Sequence, residues 1–150
     1  MNYRAAISED IDQLFDVRYA VKENILLNTD LVTKKSCEDY ITRRGKGWVC
    51  EIENRIVGFS IVDLLDQNVW ALFVHPEKEG IGIGRKLHDM MLDWYFTKTE
   101  QTIWLTTDIN TRAEKFYRKA GWSEVERIGK SELKFQMTEN QWNLKNKSYL

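Results

Sequence analysis

"HPEKEGIGIGRKLHDMMLDWY", residues 75–95, sets Gly80, Gly82 and Gly84 at alternate positions between a proline and a run with helical spacing. Each glycine costs conformational entropy on folding, so the cluster implies a special backbone turn or a partner lying close against it. Beyond it the apolar residues fall at Leu87, Met90, Met91, Trp94 and Tyr95, the i, i+3, i+4, i+7, i+8 pattern of an amphipathic helix over 85–97. Ahead of it "VWALFV", 69–74, is a near-continuous apolar run, as in a strand covered on both faces. The local order is therefore strand, glycine loop, helix. At such a junction the first helical N–H groups lack intrahelical partners and carry the positive end of the dipole. Glycines leave those donors open, and a phosphate or pyrophosphate is the expected guest.

Two familiar phosphate motifs do not fit. The dinucleotide pattern G-x-G-x-x-G needs a third glycine where Arg85 or Leu87 stands, and the P-loop pattern lacks its Lys-Ser/Thr pair. A glycine-rich turn with no ligand competes on equal terms for this stretch alone.

Working outward, "ISEDIDQLFDVRYAV" predicts a first helix capped by Ser8, with Ile11, Leu14 and Phe15 on its apolar face. "SCEDYITRRG" predicts a short second helix, with Ser36 and Asp39 as a capping pair and Gly45 as its stop. "WVCEI" and "IVGFSIV" read as strands around the short connection "ENR". "TIWLTT" is a further strand, and "NTRAEKFYRKAGW" a helix with a Thr111–Glu114 capping box, the apolar face Ala113, Phe116, Tyr117, Ala120, and a stop at Gly121. "SEVERI" and "ELKFQM" read as a closing strand pair, and the polar tail "TENQWNLKNKSYL" carries no assignment. His88 is expected on the helix surface, and the six tryptophans mostly in the core.

The 150 residues predict one mixed α/β domain over 1–150, with a sizeable core. Twenty-two basic against 23 acidic residues give a net charge of −1, so no broad nucleic-acid or membrane patch is implied. Cys37 and Cys50 have no metal-like or CxxC spacing and read as reduced thiols. No signal-like or membrane-length apolar run is present, and the expected location is cytoplasmic.

"LFVHPEKEGIGIGRKLHDMM" resembles the acyl-coenzyme A signature of the GNAT superfamily of N-acetyltransferases: a strand ending V-x-P, then Q/R-x-x-G-x-G/A opening a long helix. Val74, Pro76, Gly82, Gly84 and Leu87 match, while Glu79 stands where Gln or Arg is usual. "NTRAEKFYRKAGW" resembles the family's later signature N-x-x-A-x-x-F-Y-x-x-x-G-F through Asn110, Ala113, Phe116, Tyr117 and Gly121, with Trp122 for the final Phe. The resemblance implies a central, mostly antiparallel sheet of about seven strands flanked by about four helices. It also implies acetyl transfer from acetyl-CoA to a primary amine of a small molecule or peptide, by direct attack in a ternary complex, and admits a homodimer.

Carried onto this chain, the resemblance gives Phe73 or Val74 the role of polarising the thioester carbonyl through the backbone. Glu79, Gly80, Ile81, Gly82, Ile83, Gly84 and Arg85 would hold the pyrophosphate by their amides, with the Glu79 side chain turned away. Lys78, Arg85 and Lys86 would compensate its charge. Asn110 would bond the pantetheine arm, and Tyr117 would act as general acid toward the departing thiolate. No carboxylate lies in "VWALFV", so the base or acceptor contact falls to Glu23, with His75, Asp108 or a water relay as alternatives. Segments 22–36 and 62–68 would shape the acceptor pocket, and one of Lys115, Arg118 and Lys119 would meet the cofactor's 3′-phosphate. A sensor of the same fold that binds acyl-CoA without turnover, and a simple nucleotide-phosphate binder, are the competing functions.

Overall fold

The computed structural model describes residues 1–21 and 33–147. Its elements are β1 (Asn2–Ala5), α1 (Ile11–Ala20), α2 (Lys34–Asp39), β2 (Gly45–Ile52), β3 (Arg55–Asp63), β4 (Asn68–Val74), α3 (Ile83–Lys98), β5 (Ile103–Asp108), α4 (Arg112–Lys119), β6 (Ser123–Ile128), β7 (Glu132–Met137) and α5 (Glu139–Lys147). The seven strands form one sheet in the order β1-β2-β3-β4-β5-β7-β6. Every neighbouring pair is antiparallel except β4–β5.

Local chemistry explains most of these boundaries. Glu53 and Asn54 both take positive φ, 53° and 63°, so β2 and β3 are joined by a two-residue turn of the type whose twist suits a hairpin. Thr111 caps α4 by accepting the Glu114 amide at 3.2 Å, as its spacing predicts. Two expected caps are displaced. Ser8 bonds Glu38 instead, because the Asp10 carboxylate takes the Ile7 amide at 2.9 Å and is itself clamped by Arg4. The chain therefore makes a single 3₁₀ turn at Ser8–Asp10 before α1 begins. In α2 the cap is Thr33, whose hydroxyl accepts the Ser36 amide while Ser36 returns the bond, each at 3.0 Å; Ser36 is the third helical residue, not the cap.

The sheet separates two cores. On one face Ile11, Leu14, Phe15 and Val17 of α1 and Cys37 of α2 pack on Val49, Phe59, Ile61 and Ala71. On the other, Ile83, Leu87, Met91 and Tyr95 of α3 pack with Leu105, Tyr117, Trp122, Phe135 and Trp142. Trp142 belongs to α5, a helix that the polar tail conceals. Cys37 and Cys50 are both buried free thiols. Among the described residues no helix is long and apolar enough to cross a membrane.

Candidate functional site

The site begins where the sheet splits. β4 and β5 run parallel and pair only at Asn68 and Trp104. That junction is pinned by the Trp104 amide on the Gln67 carbonyl, 3.0 Å, and by the Trp104 indole N–H on the Asp66 carbonyl, 2.9 Å. Beyond it the strands continue unpaired to Val74 and Asp108, leaving the inner edge of β4 open.

Strand alternation decides which amide faces that opening. The His75 amide donates to Val57 on β3, 2.7 Å, and Phe73 lies opposite Phe59. Phe73 therefore directs its N–H and C=O to β3 as well, and the intervening Val74 directs its own toward β5. Of the two expected backbone donors, Val74 is the one at the opening.

The glycine loop stands at the end of β4. Gly80 and Gly82 adopt φ of +80° and +91°, a region side chains rarely enter, and Gly82 is the residue before α3. A Cβ on Gly82 would meet no atom within 4 Å, so its amide borders open space. The first bond at this end of α3 runs from the Lys86 amide to the Gly82 carbonyl, 3.1 Å. Among the described residues, the amides of 80–85 donate to no protein acceptor. α3 has 16 residues, so its dipole adds to these donors. The Glu79 carboxylate reaches across to Arg112 at the start of α4, 3.3 Å. Arg85 pairs with Asp89 at 3.2 Å, so Arg112 is the residue that answers the Glu79 charge.

On the β5 side, Asn110 holds a left-handed φ of 59°, and its amide donates to Glu114 at 2.8 Å. Its side chain is exposed at the mouth of α4. Tyr117, one helical face away, is 7 % exposed among the rings of Phe116, Trp122 and Phe135. Its hydroxyl has no hydrogen-bond partner among the described residues. Burial pushes its phenol well above the ordinary tyrosine value. Of the three α4 residues expected near the 3′-phosphate, Arg118 is engaged by Glu114 and Glu124, while Lys115 and Lys119 are exposed.

His88 corrects its expectation. It is fully buried: Trp122 donates its indole N–H to Nε2 at 2.9 Å, so Nδ1 carries the hydrogen and donates to Asp89, 2.8 Å. The stripe of Met91, Leu92 and Tyr95 is wide enough for both Leu87 and His88 to fall on its covered side. Among the base candidates, His75 uses Nδ1 to accept the Glu77 amide at 3.2 Å, and Asp108 receives the Thr111 hydroxyl on its backbone carbonyl at 2.8 Å. Glu23 lies outside the described residues.

On the opposite face of β4 is a small hollow lined by Leu14, Phe15 and Arg18 of α1, Cys37 of α2, Phe59 and Trp70. Trp70 reaches it because β4 carries an irregularity there: Val62 pairs with Val69 and Ile61 with Ala71, so Trp70 is the extra residue and is re-aimed. The Arg18 guanidinium lies over the Phe73 ring, 5.1 Å from its centre. Sequence reasoning missed Arg18, although it stands four residues after Leu14, where the apolar spacing of α1 calls for a covered side chain.

A model of the acetyltransferase (GNAT) family matches residues 9–122. A ribosomal-protein-alanine N-acetyltransferase from Brucella melitensis has a TM-score of 0.74 at 17 % identity, over 92 % of this chain and 99 % of that one. The structure of smu.2055 from Streptococcus mutans UA159 gives 0.78 at 19 %, over 92 % and 99 %. A PaiA N-acetyltransferase from Thermoplasma acidophilum, crystallised in complex with coenzyme A, gives 0.76 at 15 %, over 91 % and 98 %. No curated protein sequence matches. Structural likeness at these identities carries the mixed α/β fold, and the sequence model carries the family. Matched from the turn before α1 through Trp122, the chain belongs to the GNAT acetyltransferase family, whose cofactor is acetyl-CoA.

Proposed function

We propose that this chain, as one catalytic domain over 1–150, moves an acetyl group from acetyl-CoA to a primary amine by direct attack in a ternary complex. The observation that carries the reading is the bank of partnerless amides at 80–85, bordered by open space at Gly82 and standing beside the split in the sheet. These features fit a diphosphate joined to a polar, extended arm. The amides are donors for phosphate oxygens, and the open edge of β4 offers backbone pairing to amides of the arm, as an added strand would.

Acetyl-CoA, when bound, supplies a thioester-activated acetyl group. The Val74 N–H polarises the acyl carbonyl, an oxyanion-hole role worth several kcal/mol in comparable sites, about 3. Asn110 orients the arm from the β5 side. Tyr117 directs its hydroxyl to the sulfur. Glu23, the proposed base, or water would take one proton from the ammonium. The amine nitrogen would then bond to the acyl carbon as the carbon–sulfur bond breaks, and the second proton shed by nitrogen would end on the departing thiolate. A protonated alkyl amine costs about 4–5 kcal/mol to neutralise at pH 7, so the proton must be removed before attack.

Two measurements on the same preparation test this. Calorimetry reads uptake of coenzyme A and acetyl-CoA, and mass spectrometry reads acetyl transfer to polyamines, amino acids, aminoglycosides and peptides. Uptake with acetylated product supports the reading. Uptake with no transfer makes the chain an acyl-CoA sensor, and no uptake by folded protein overturns the cradle itself.

A further inference from the structure

The cradle carries a carboxylate of its own. Glu79 immediately precedes the amides of 80–85, and a diphosphate seated on those amides would arrive beside it as a second anion. The Glu79 carboxylate reaches instead to Arg112, the first residue of α4, Oε2 to Nη1 3.3 Å. The other terminal nitrogen of that guanidinium, Nη2, lies 3.9 Å from where a Cβ on Gly80 would stand, so the cation borders the loop as well as the carboxylate. This approach is built into the packing. A Cβ on Gly84 would come within 3.5 Å of the Val74 side chain and 4.0 Å of the Phe116 ring, which brings α4 alongside the start of α3. One guanidinium therefore stands at the edge of the cradle, delivered by a different element.

The pair that holds it is easily exchanged. The Glu79 and Arg112 side chains are 34 % and 61 % exposed, and an ion pair so placed is worth little against water. A diphosphate offers more charge and several oxygens, against which the planar fork of a guanidinium sets paired N–H donors. The amides and the dipole of α3 draw that anion to the same place. Arg85, the nearest cation on α3, is engaged by Asp89 at 3.2 Å. Resting on the acetyl-CoA reading above, we propose that Arg112 is a cofactor-binding residue, held by Glu79 before the cofactor arrives and transferred to the diphosphate when it does. Glu79 is then the anion that the cofactor displaces, and its charge limits how tightly the cradle holds.

Calorimetry with coenzyme A and with dephospho-coenzyme A, which lacks the 3′-phosphate, reads the exchange. Arg112→Gln should weaken coenzyme A by about ten- to a hundred-fold, the range of a hydrogen bond to a charged group. Dephospho-coenzyme A should suffer the same penalty, because the diphosphate is common to both. A penalty confined to coenzyme A would put Arg112 on the 3′-phosphate and overturn the proposal. Glu79→Gln should tighten coenzyme A by about three- to ten-fold, a gain that misfolding cannot imitate. That gain should be larger in the wild-type background than in Arg112→Gln, since only there does it also release a cation. Equal gains would mean that Glu79 acts by repulsion alone, and would overturn the exchange. Arg43→Gln makes the same charge loss in the turn after α2, where Arg43 faces Asp39 at 3.4 Å, and should leave both affinities unchanged. A loss there equal to that of Arg112→Gln would reduce the effect to net charge and sink the proposal. Uptake by wild type with Arg112→Gln binding equally well overturns this inference alone; no uptake by folded wild-type protein overturns the cradle reading with it.

Discussion

The Tyr117 ring sits within a shell of other rings, and that burial changes the kind of help its hydroxyl can give a leaving thiolate. With its phenol raised well above 10, outright proton transfer to a thiolate of ordinary pKa, about 8.5, runs uphill. A hydrogen bond from the intact hydroxyl does not, and a hydrogen bond to a charged group is worth about 1.5–3 kcal/mol. Tyr117→Phe should therefore lower kcat by about ten- to a hundred-fold, with little change in coenzyme A affinity. The ring packing against Trp122 and Phe135 survives the change, so the melting temperature should hardly move. A mutant with undiminished kcat at saturating acetyl-CoA would remove Tyr117 from the chemistry. Its phenol was legible from the F-Y pair in the sequence; its lack of a protein partner was not, because hydrogen bonding depends on what the sheet brings around α4.

Among the elements, the loop before α3 carries the sharpest expectation. Gly82 combines a left-handed backbone with open space where a side chain would go. Gly129, in the turn between β6 and β7, combines the same two features far from the cradle, with φ of +60°. Valine at either position brings comparable backbone strain, about 1–2 kcal/mol. Only Gly82→Val also screens the amides of 80–85, and it should weaken coenzyme A binding by about ten-fold or more, read by calorimetry, while Gly129→Val leaves that affinity unchanged. Equal affinities in the two variants would mean that the loop is a turn and nothing else. This element was readable because strand, glycines and helix are contiguous in the chain. Other elements were less so. α5 hides behind polar composition, yet Thr138 and Gln141 cap each other at 2.9 and 3.1 Å, a T-x-x-Q signature present in the sequence. The extra residue in β4 leaves no trace in an all-apolar run, since alternation is the only signal that would reveal it. Trp70 and Arg18 meet only once β4 is irregular and α1 has packed, which no local pattern specifies.

For the molecule as a whole, opening the sheet for a ligand leaves its two halves joined by a single β4–β5 backbone pair, and the core behind the split must hold them together. His88 lies at the centre of that core. It links α3 to Trp122, which follows α4, and rests edge-on to Trp142 of α5, 5.8 Å between ring centres. Burial holds its imidazole below the ordinary value; Asp89 opposes that shift, and Arg85 and Lys145 add to it. The unfolded chain therefore takes up a proton near pH 6.5 that the folded chain refuses. More protons bound in the unfolded state means that stability falls as pH drops below about 6.5, and is indifferent to this group at pH 7.5 and above. Asp89, held below the usual carboxylate range, contributes its own loss only in stronger acid. The melting temperature should thus decline between pH 7.5 and 5.5. His88→Gln, which keeps an acceptor for Trp122 but cannot titrate, should melt lower at pH 7.5 and lose less on acidification. Coenzyme A added at saturation should raise both curves, since it binds the folded protein alone. Parallel curves for the two proteins would show that acid acts elsewhere, and that the join between the half-sheets does not depend on a neutral imidazole.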